Sequence, residues 1–356
     1  MSVSVLAVGP ASLSPWIGYT ARALRRLGCV PFRFCYSNLW VNRAASPWLT
    51  QALAGAPGLP RWLAQETERW HRQRERALLT ATRRIKPDLI LLLKGERISP
   101  ETLQSLARMA PRSLVTWWVD DPFHYPQFLQ SLPLFEHVFI FDRSYLRPLQ
   151  QAGARDAHFL PCACDDTIFW PRPLNRSQQS PYRCDIVFVA WYYANRVEIV
   201  NALREFHVNI WGVGWNSAEA RASLNGAEHR VIRSSRFVPD ERAASIYSAA
   251  TIGLNIHDVQ SRYAGLNART FEVLATGTFE LTDAVAGMEE LLVPGEEIVA
   301  YRSPEEARDL VRYYLRHPEL RLRIAARGRA RTLREHTYVH RMRQLLHTVG
   351  TGRALA

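Results

Sequence analysis

Short apolar runs alternate with helical patterns along most of the chain. VSVLAVG (3–9), CVPFRF (29–34), KPDLILLLKGE (86–96), SLVTWWVDDP (113–122) and HVFIFDRS (137–144) read as strands. Helical spacing fills the gaps at 18–27, 61–85, 100–108 and on to about 151. The run LILLL is apolar at every position, as in a strand buried on both faces of a parallel sheet. This β-α repetition predicts a doubly wound sheet for the first half.

Residues 161–183 break the rhythm with Pro161, Pro171, Pro173 and Pro181 among Ser and Asn. The alternation then resumes. CDIVFVA (184–190), VNIWGVG (208–214), RVIRSSRFV (230–238), TIGLNIH (251–257), TFELTD (278–283) and EEIVAY (296–301) read as strands. Helices are expected near 194–205, at 240–249, between Gly265 and Gly277, and from about 304. The predicted class is α/β, with two Rossmann-like doubly wound domains facing a cleft. The first covers 1–165, a linker 166–183 and the second 184–335. A terminal helix at 336–356 is expected to pack back on the first domain.

Ligands of such sheets sit beyond the carboxyl ends of the strands. That rule selects Gly9 to Trp16, Lys94–Glu96, Asp120–Asp121 and Asp142–Ser144 in the first half. In the second it selects Trp191–Arg196, Gly212–Trp215, Asn255–Asp258 (with His257) and Gly265–Arg269. Within GLNARTFEVLATGTFELTD (265–283), Glu272 interrupts an oily helix. Asn267 is placed to cap that helix, whose start would attract an anion. Arg269 lies three residues before Glu272, on the same side. One reading is an Arg269–Glu272 pair on a solvated stripe. The other is a buried carboxylate that accepts both hydroxyls of a ribose, with phosphates on the helix end.

Composition narrows the classes. The formal charge is +12, and only Lys86 and Lys94 are lysines. Arginine forks suit phosphates and other anions. Five cysteines, at 29, 35, 162, 164 and 184, fit a reduced compartment better than a disulfide framework. No apolar run is long enough to cross a bilayer. The start MSVSVLAVGP lacks a basic segment. A cytoplasmic location is expected, with peripheral contact at the inner face of the membrane left open.

Several chemistries find no motif. There is no G-x-x-x-x-G-K-S/T, no G-x-S-x-G and no G-x-G-x-x-G. Cys162, Cys164, Asp165, Asp166 and His158 lack a second ligand pair, so no metal site is expected. Asp120 and Asp121 precede Pro122. Either could be an acceptor-side general base, with His124 nearby, or simply form an Asx-turn. Trp16 is a candidate surface for stacking on a sugar.

GLNARTFEVLATGTFELTD and the stretch from GMEELLVPGEE to REHTYVHR resemble the C-terminal domain of GT-B glycosyltransferases. The resemblance is to the CgeB-like (spore maturation protein) group, with a C-terminal domain of the glycosyltransferase family 1/4 type. VTWWVDDPF, VFIFDRSYLRPLQQAGA and FLPCACDDTIFWP are similar to the first half of that group and its crossing into the second. The match covers about 110–345.

The resemblance implies a metal-independent, hexosyltransferase-like enzyme. It would use a nucleotide-diphosphate sugar as donor substrate, with no cofactor. The acceptor would be a surface glycan of a bacterium, a protein or a lipid; a nucleic acid is disfavoured. Glu272 is similar to a ribose-binding glutamate. Gly265, Leu266 and Asn267 occupy the loop that faces the diphosphate and sugar. Arg196 is a candidate to neutralise the diphosphate, and Phe237 and Val238 to hold the base through their backbone. Many relatives carry a glutamate where this chain has Ala264, which leaves that contact to Asn267 or Arg269. Two alternatives remain at this stage. One is a nucleotide-sugar epimerase; the other is a non-catalytic binder of nucleic acid or membrane, motivated by the charge.

Overall fold

The computed structural model describes residues 2–10, 16–37, 59–110, 114–179, 181–224, 232–257 and 265–350. Residues 11–15 and Ala264, singled out above, lie outside them. The chain divides into two compact units. One is Met1–Leu160 with Arg341–Ala356, the other Pro161–His340.

In the first unit the strands are β1 (Ser4–Pro10), β2 (Val30–Ser37), β3 (Leu89–Leu93), β4 (Leu114–Trp118), β5 (His137–Ile140) and β6 (Ala157–Phe159). They form one parallel sheet in the order β2-β1-β3-β4-β5-β6. The all-apolar run Leu89–Leu93 is β3, buried at every residue. In the second unit the strands are β7 (Cys184–Val189), β8 (Val208–Trp211), β9 (Ile232–Ser234), β10 (Ala250–Asn255), β11 (Phe279–Asp283) and β12 (Val299–Tyr301). Their order is β12-β11-β10-β7-β8-β9, again parallel. Counted within the unit, this is the doubly wound order 3-2-1-4-5-6, and it reverses between β7 and β10.

Local chemistry sets the boundaries. Ser99 caps the Pro100–Met109 helix by accepting from the Thr102 amide, and Ser303 caps Pro304–Arg316 through the Glu306 amide. Two strands are shorter than their apolar runs suggest. β9 stops at Ser234, whose hydroxyl accepts from the Arg236 amide and turns the backbone out of the sheet. Phe237 and Val238 therefore sit in the loop after it rather than at a strand end. β12 begins at Val299 because the preceding residues make a turn, in which the Gly295 amide donates to Ile298.

Two glycines permit close approaches. Gly212 follows β8 at φ 143°, and a Cβ there would lie 1.9 Å from the Ala190 carbonyl oxygen. The glycine thus serves strand contact. Gly253 of β10 faces the Ala268–Ala275 helix, and an added Cβ would meet Val273 Cγ1 at 2.6 Å. Gly253→Ala is expected to cost about 1–3 kcal/mol through overpacking, read as a lower denaturant midpoint. A wild-type midpoint would mean that the helix yields without strain.

The segment after Leu160 is held down at its start. The Cys164 amide donates to His336 at 3.1 Å, and the Tyr338 amide donates to Cys164 at 3.0 Å. Asp165 closes a turn by accepting from the Thr167 amide and hydroxyl. Among the described residues all five cysteines are free thiols. No helix among them is long and apolar enough to cross a membrane.

Candidate functional site

The second unit concentrates buried polar groups where β10 and β11 end. Asn267 caps the Ala268–Ala275 helix, its carbonyl oxygen accepting from the Thr270 amide at 3.2 Å. Its amide also pairs reciprocally with that of Asn255. Asn255 Nδ2 donates to Asn267 Oδ1 at 3.0 Å, and Asn267 Nδ2 donates to Asn255 Oδ1 at 3.1 Å. Asn255 Nδ2 also lies 3.0 Å from Thr270 Oγ1 and 3.1 Å from Glu280 Oε1. Glu280 is fully buried, and burial pushes its carboxyl well above the usual range. Asn255 and Asn267 thus tie the helix start to the strand ends.

One turn into the helix, Glu272 is 9% exposed. Arg269 Nη1 donates to its Oε2 at 2.9 Å. Burial pushes the Glu272 carboxyl up to about 7, against the lowering pull of Arg269. The Arg269 side chain is 31% exposed, and its guanidinium lies 5.8 Å from the Tyr247 ring centroid. Both readings offered for Glu272 thus hold in part: it is paired, and it is buried. Gly265 and Leu266, just before the cap, are buried.

Arg196 is buried at the reversal point. It donates from Nη1 to the Trp191 carbonyl at 2.7 Å and from Nη2 to the Ile256 carbonyl at 3.2 Å. Its guanidinium lies 4.7 Å from the Tyr193 ring centroid. It bridges the segments that follow β7 and β10. Phe237 is 37% exposed, whereas Val238 is buried.

His257 is buried and held by Asp283. Its amide reaches Asp283 Oδ1 at 2.9 Å and its Nδ1 lies 2.8 Å from the same oxygen. Burial raises the Asp283 pKa, but the bonds and charge of His257 outweigh it, so the carboxylate titrates below its ordinary value. An ionised Asp283 fixes a proton on Nδ1; this tautomer is inferred from the bond. Nε2 is buried without a hydrogen-bond partner. His257, Asp283 and Tyr301 help line a cavity of about 370 Å³. Asp283 and Tyr301 were not singled out from the sequence. The strand-end rule applied to TFELTD would have found Asp283.

In the first unit Gly9 lies near the end of β1, where an added Cβ would meet Leu93 Cβ at 3.2 Å. Trp16 is only 7% exposed and packs edge-on against Trp117, with centroids 5.3 Å apart. It is a core residue and not a surface for stacking. Asp120 is ion-paired with Lys94. Burial alone would lower the Lys94 pKa, but the charges of Asp120 and Glu96 outweigh it and raise it. Tyr36 donates to Glu96 Oε2 at 2.7 Å beside them. Asp121 is buried, and its Oδ1 accepts from the Phe123 amide at 2.8 Å, capping the turn Pro122–His124. The Asx-turn reading therefore describes Asp121, while Asp120 keeps a partly exposed side chain. His124 is exposed.

Residues 196–347 match the glycosyl transferase-like family model. Spore protein CgeB of Bacillus subtilis (strain 168) is 24% identical over 265 residues, covering 71% of this chain and 80% of that protein. The chain is a CgeB homologue with the GT-B glycosyltransferase fold. A glycosyltransferase from Rickettsia africae superposes with a TM-score of 0.67 at 11% identity, over 98% of each chain. Sucrose-phosphate synthase from Thermosynechococcus elongatus gives 0.66 at 15%, over 98% of this chain and 100% of that one. Anabaena HepE, solved with UDP and glucose, gives 0.65 at 14%, also over 98% and 100%. Family model and fold support glycosyl transfer as the general activity.

Proposed function

We propose that this CgeB homologue transfers a sugar from a nucleotide-diphosphate sugar to a glycan, protein or lipid acceptor, without a metal at the reacting centre. The observation that carries the reading is the Glu272 carboxyl, buried in the first turns of a capped helix with Arg269 beside it. An ionised carboxylate is an acceptor with two oxygens, and a ribose offers two neighbouring hydroxyls. The helix start supplies amide dipoles for the diphosphate, and Arg269 adds charge. The likeness to HepE, solved with UDP and glucose, supports a nucleotide sugar as donor.

In this reading Asn255 and Asn267 position the helix and do not touch the donor. Arg196 holds the Trp191 and Ile256 carbonyls, shaping the crevice floor while adding positive potential for the departing diphosphate. His257, with its proton held toward Asp283, presents Nε2 as an acceptor for a sugar hydroxyl. Asp120, poised by Lys94, is the acceptor-side carboxylate of choice.

Calorimetric titration with UDP and GDP tests the reading, with dTDP, whose sugar lacks the 2′-hydroxyl, as the weaker-binding control. Saturable binding of UDP or GDP is expected. The reading fails if neither binds.

A further inference from the structure

The edge of the first unit's sheet carries three ligand-type side chains that neither the core nor the proposed reaction uses. His137 opens β5, Asp156 directly precedes β6, and His158 is its second residue. Parallel pairing sets Phe139 opposite His158, and the Val138 amide donates to the Asp156 carbonyl. Continued by one residue, that register brings His137 opposite Asp156. Alternation then puts His137, Phe139, Asp156 and His158 on one face. The Phe139 ring stacks on His158, with centroids 5.2 Å apart, and limits its rotation.

Three atoms converge there. His137 Nδ1 lies 3.0 Å from His158 Nε2 and 3.3 Å from Asp156 Oδ2, and His158 Nε2 lies 3.0 Å from Asp156 Oδ2. Hydrogen bonds alone do not satisfy this triangle. Each ring nitrogen carries at most one hydrogen and the carboxylate none. At most two hydrogens serve three contacts, so one contact is left unbridged. A cation at the centre would meet all three lone pairs. Zinc–nitrogen and zinc–oxygen bonds of about 2.0–2.1 Å in a tetrahedron put ligand atoms about 3.3 Å apart. The three separations lie at or just under that value. Asp156 is 50% exposed, which provides a path for entry and room for a water as fourth ligand.

We infer that His137, Asp156 and His158 form a binding site for a divalent cation of the zinc class. Two imidazoles and one carboxylate suit Zn²⁺ rather than Mg²⁺ or Ca²⁺. The ion would join β6, only three residues long, to β5 and so brace the sheet's edge. Its role is structural, separate from sugar transfer.

The test uses the full-length protein, stripped with a chelator and titrated with Co²⁺. A single Co²⁺ per chain is expected, with the intense visible bands of tetrahedral cobalt, and Zn²⁺ should displace it. His158→Ala and Asp156→Asn should each weaken Co²⁺ binding roughly tenfold or more. Zn²⁺ should raise the melting temperature of the wild type and leave that of His158→Ala unchanged. The stripped variant should keep the far-ultraviolet dichroism of the stripped wild type, which separates lost ligation from misfolding. Absent or weak octahedral-type bands would overturn the inference, as would tetrahedral bands that persist in both variants or a wild-type melting temperature indifferent to Zn²⁺.

Discussion

Glu272→Ala is expected to weaken binding of the preferred nucleotide sugar about 100-fold, or about 2.8 kcal/mol, while leaving the fold intact. The magnitude follows from losing an ionised acceptor that holds two hydroxyls at once. The intact fold follows from burial. Holding this carboxyl out of water already pushes its pKa up to about 7, so the native state gains little from its charge. Arg269, without Glu272, keeps Tyr247 beside it and has a side chain exposed enough to be hydrated. Calorimetry and a denaturant titration of the same preparation separate the two effects. A full loss of binding together with a collapsed unfolding midpoint would instead mark Glu272 as a structural residue.

Asn255→Leu should act the opposite way, lowering stability by about 3–5 kcal/mol before any question of binding arises. Leucine matches asparagine roughly in volume but offers neither donor nor acceptor. Asn267 would lose both halves of its amide pair, and Thr270 and Glu280 would lose the second Nδ2 hydrogen that they share. Asn255, Thr270 and Glu280 are buried, so the desolvation cost at Thr270 and Glu280 stays unrelieved. A midpoint shift well under 1 kcal/mol would show that water replaces the asparagine.

Much of this arrangement was legible from residue order alone. The β-α alternation gave two parallel sheets because each buried strand advertises itself as a short apolar run between helical patterns. Asn267 before an oily stretch and Gly277 after it marked the Ala268–Ala275 helix. Glu272 stood out because apolar residues flank it on both sides. Pairings between strands were not legible. Lys94 and Asp120 are 26 residues apart and meet only because β3 and β4 lie side by side. The Asn255–Asn267 amide pair depends on how the helix seats on β10. Trp16 was misread for a related reason: a strand end indicates where ligands gather, but not whether a tryptophan there turns outward or toward Trp117. The His137, Asp156 and His158 triangle escaped because its signal is a register, and the only metal search the sequence invited centred on cysteines.

Protonation links these residues to one direct measurement. With a Glu272 pKa raised to about 7, the folded protein binds more protons than the unfolded chain between about 4.5 and about 7. This group's contribution to stability is therefore present at low pH and declines as pH rises through that window. Ligand binding runs the other way, because only the ionised carboxylate accepts both ribose hydroxyls. The decisive experiment is the affinity for the better of UDP-glucose and GDP-glucose between about pH 6 and about pH 8. These esters have no terminal phosphate to titrate in that range. The account predicts that wild-type affinity climbs with pH and levels off above about 7, while Glu272→Gln binds weakly and without that slope. Equal affinities and equal pH profiles for the two proteins would contradict it.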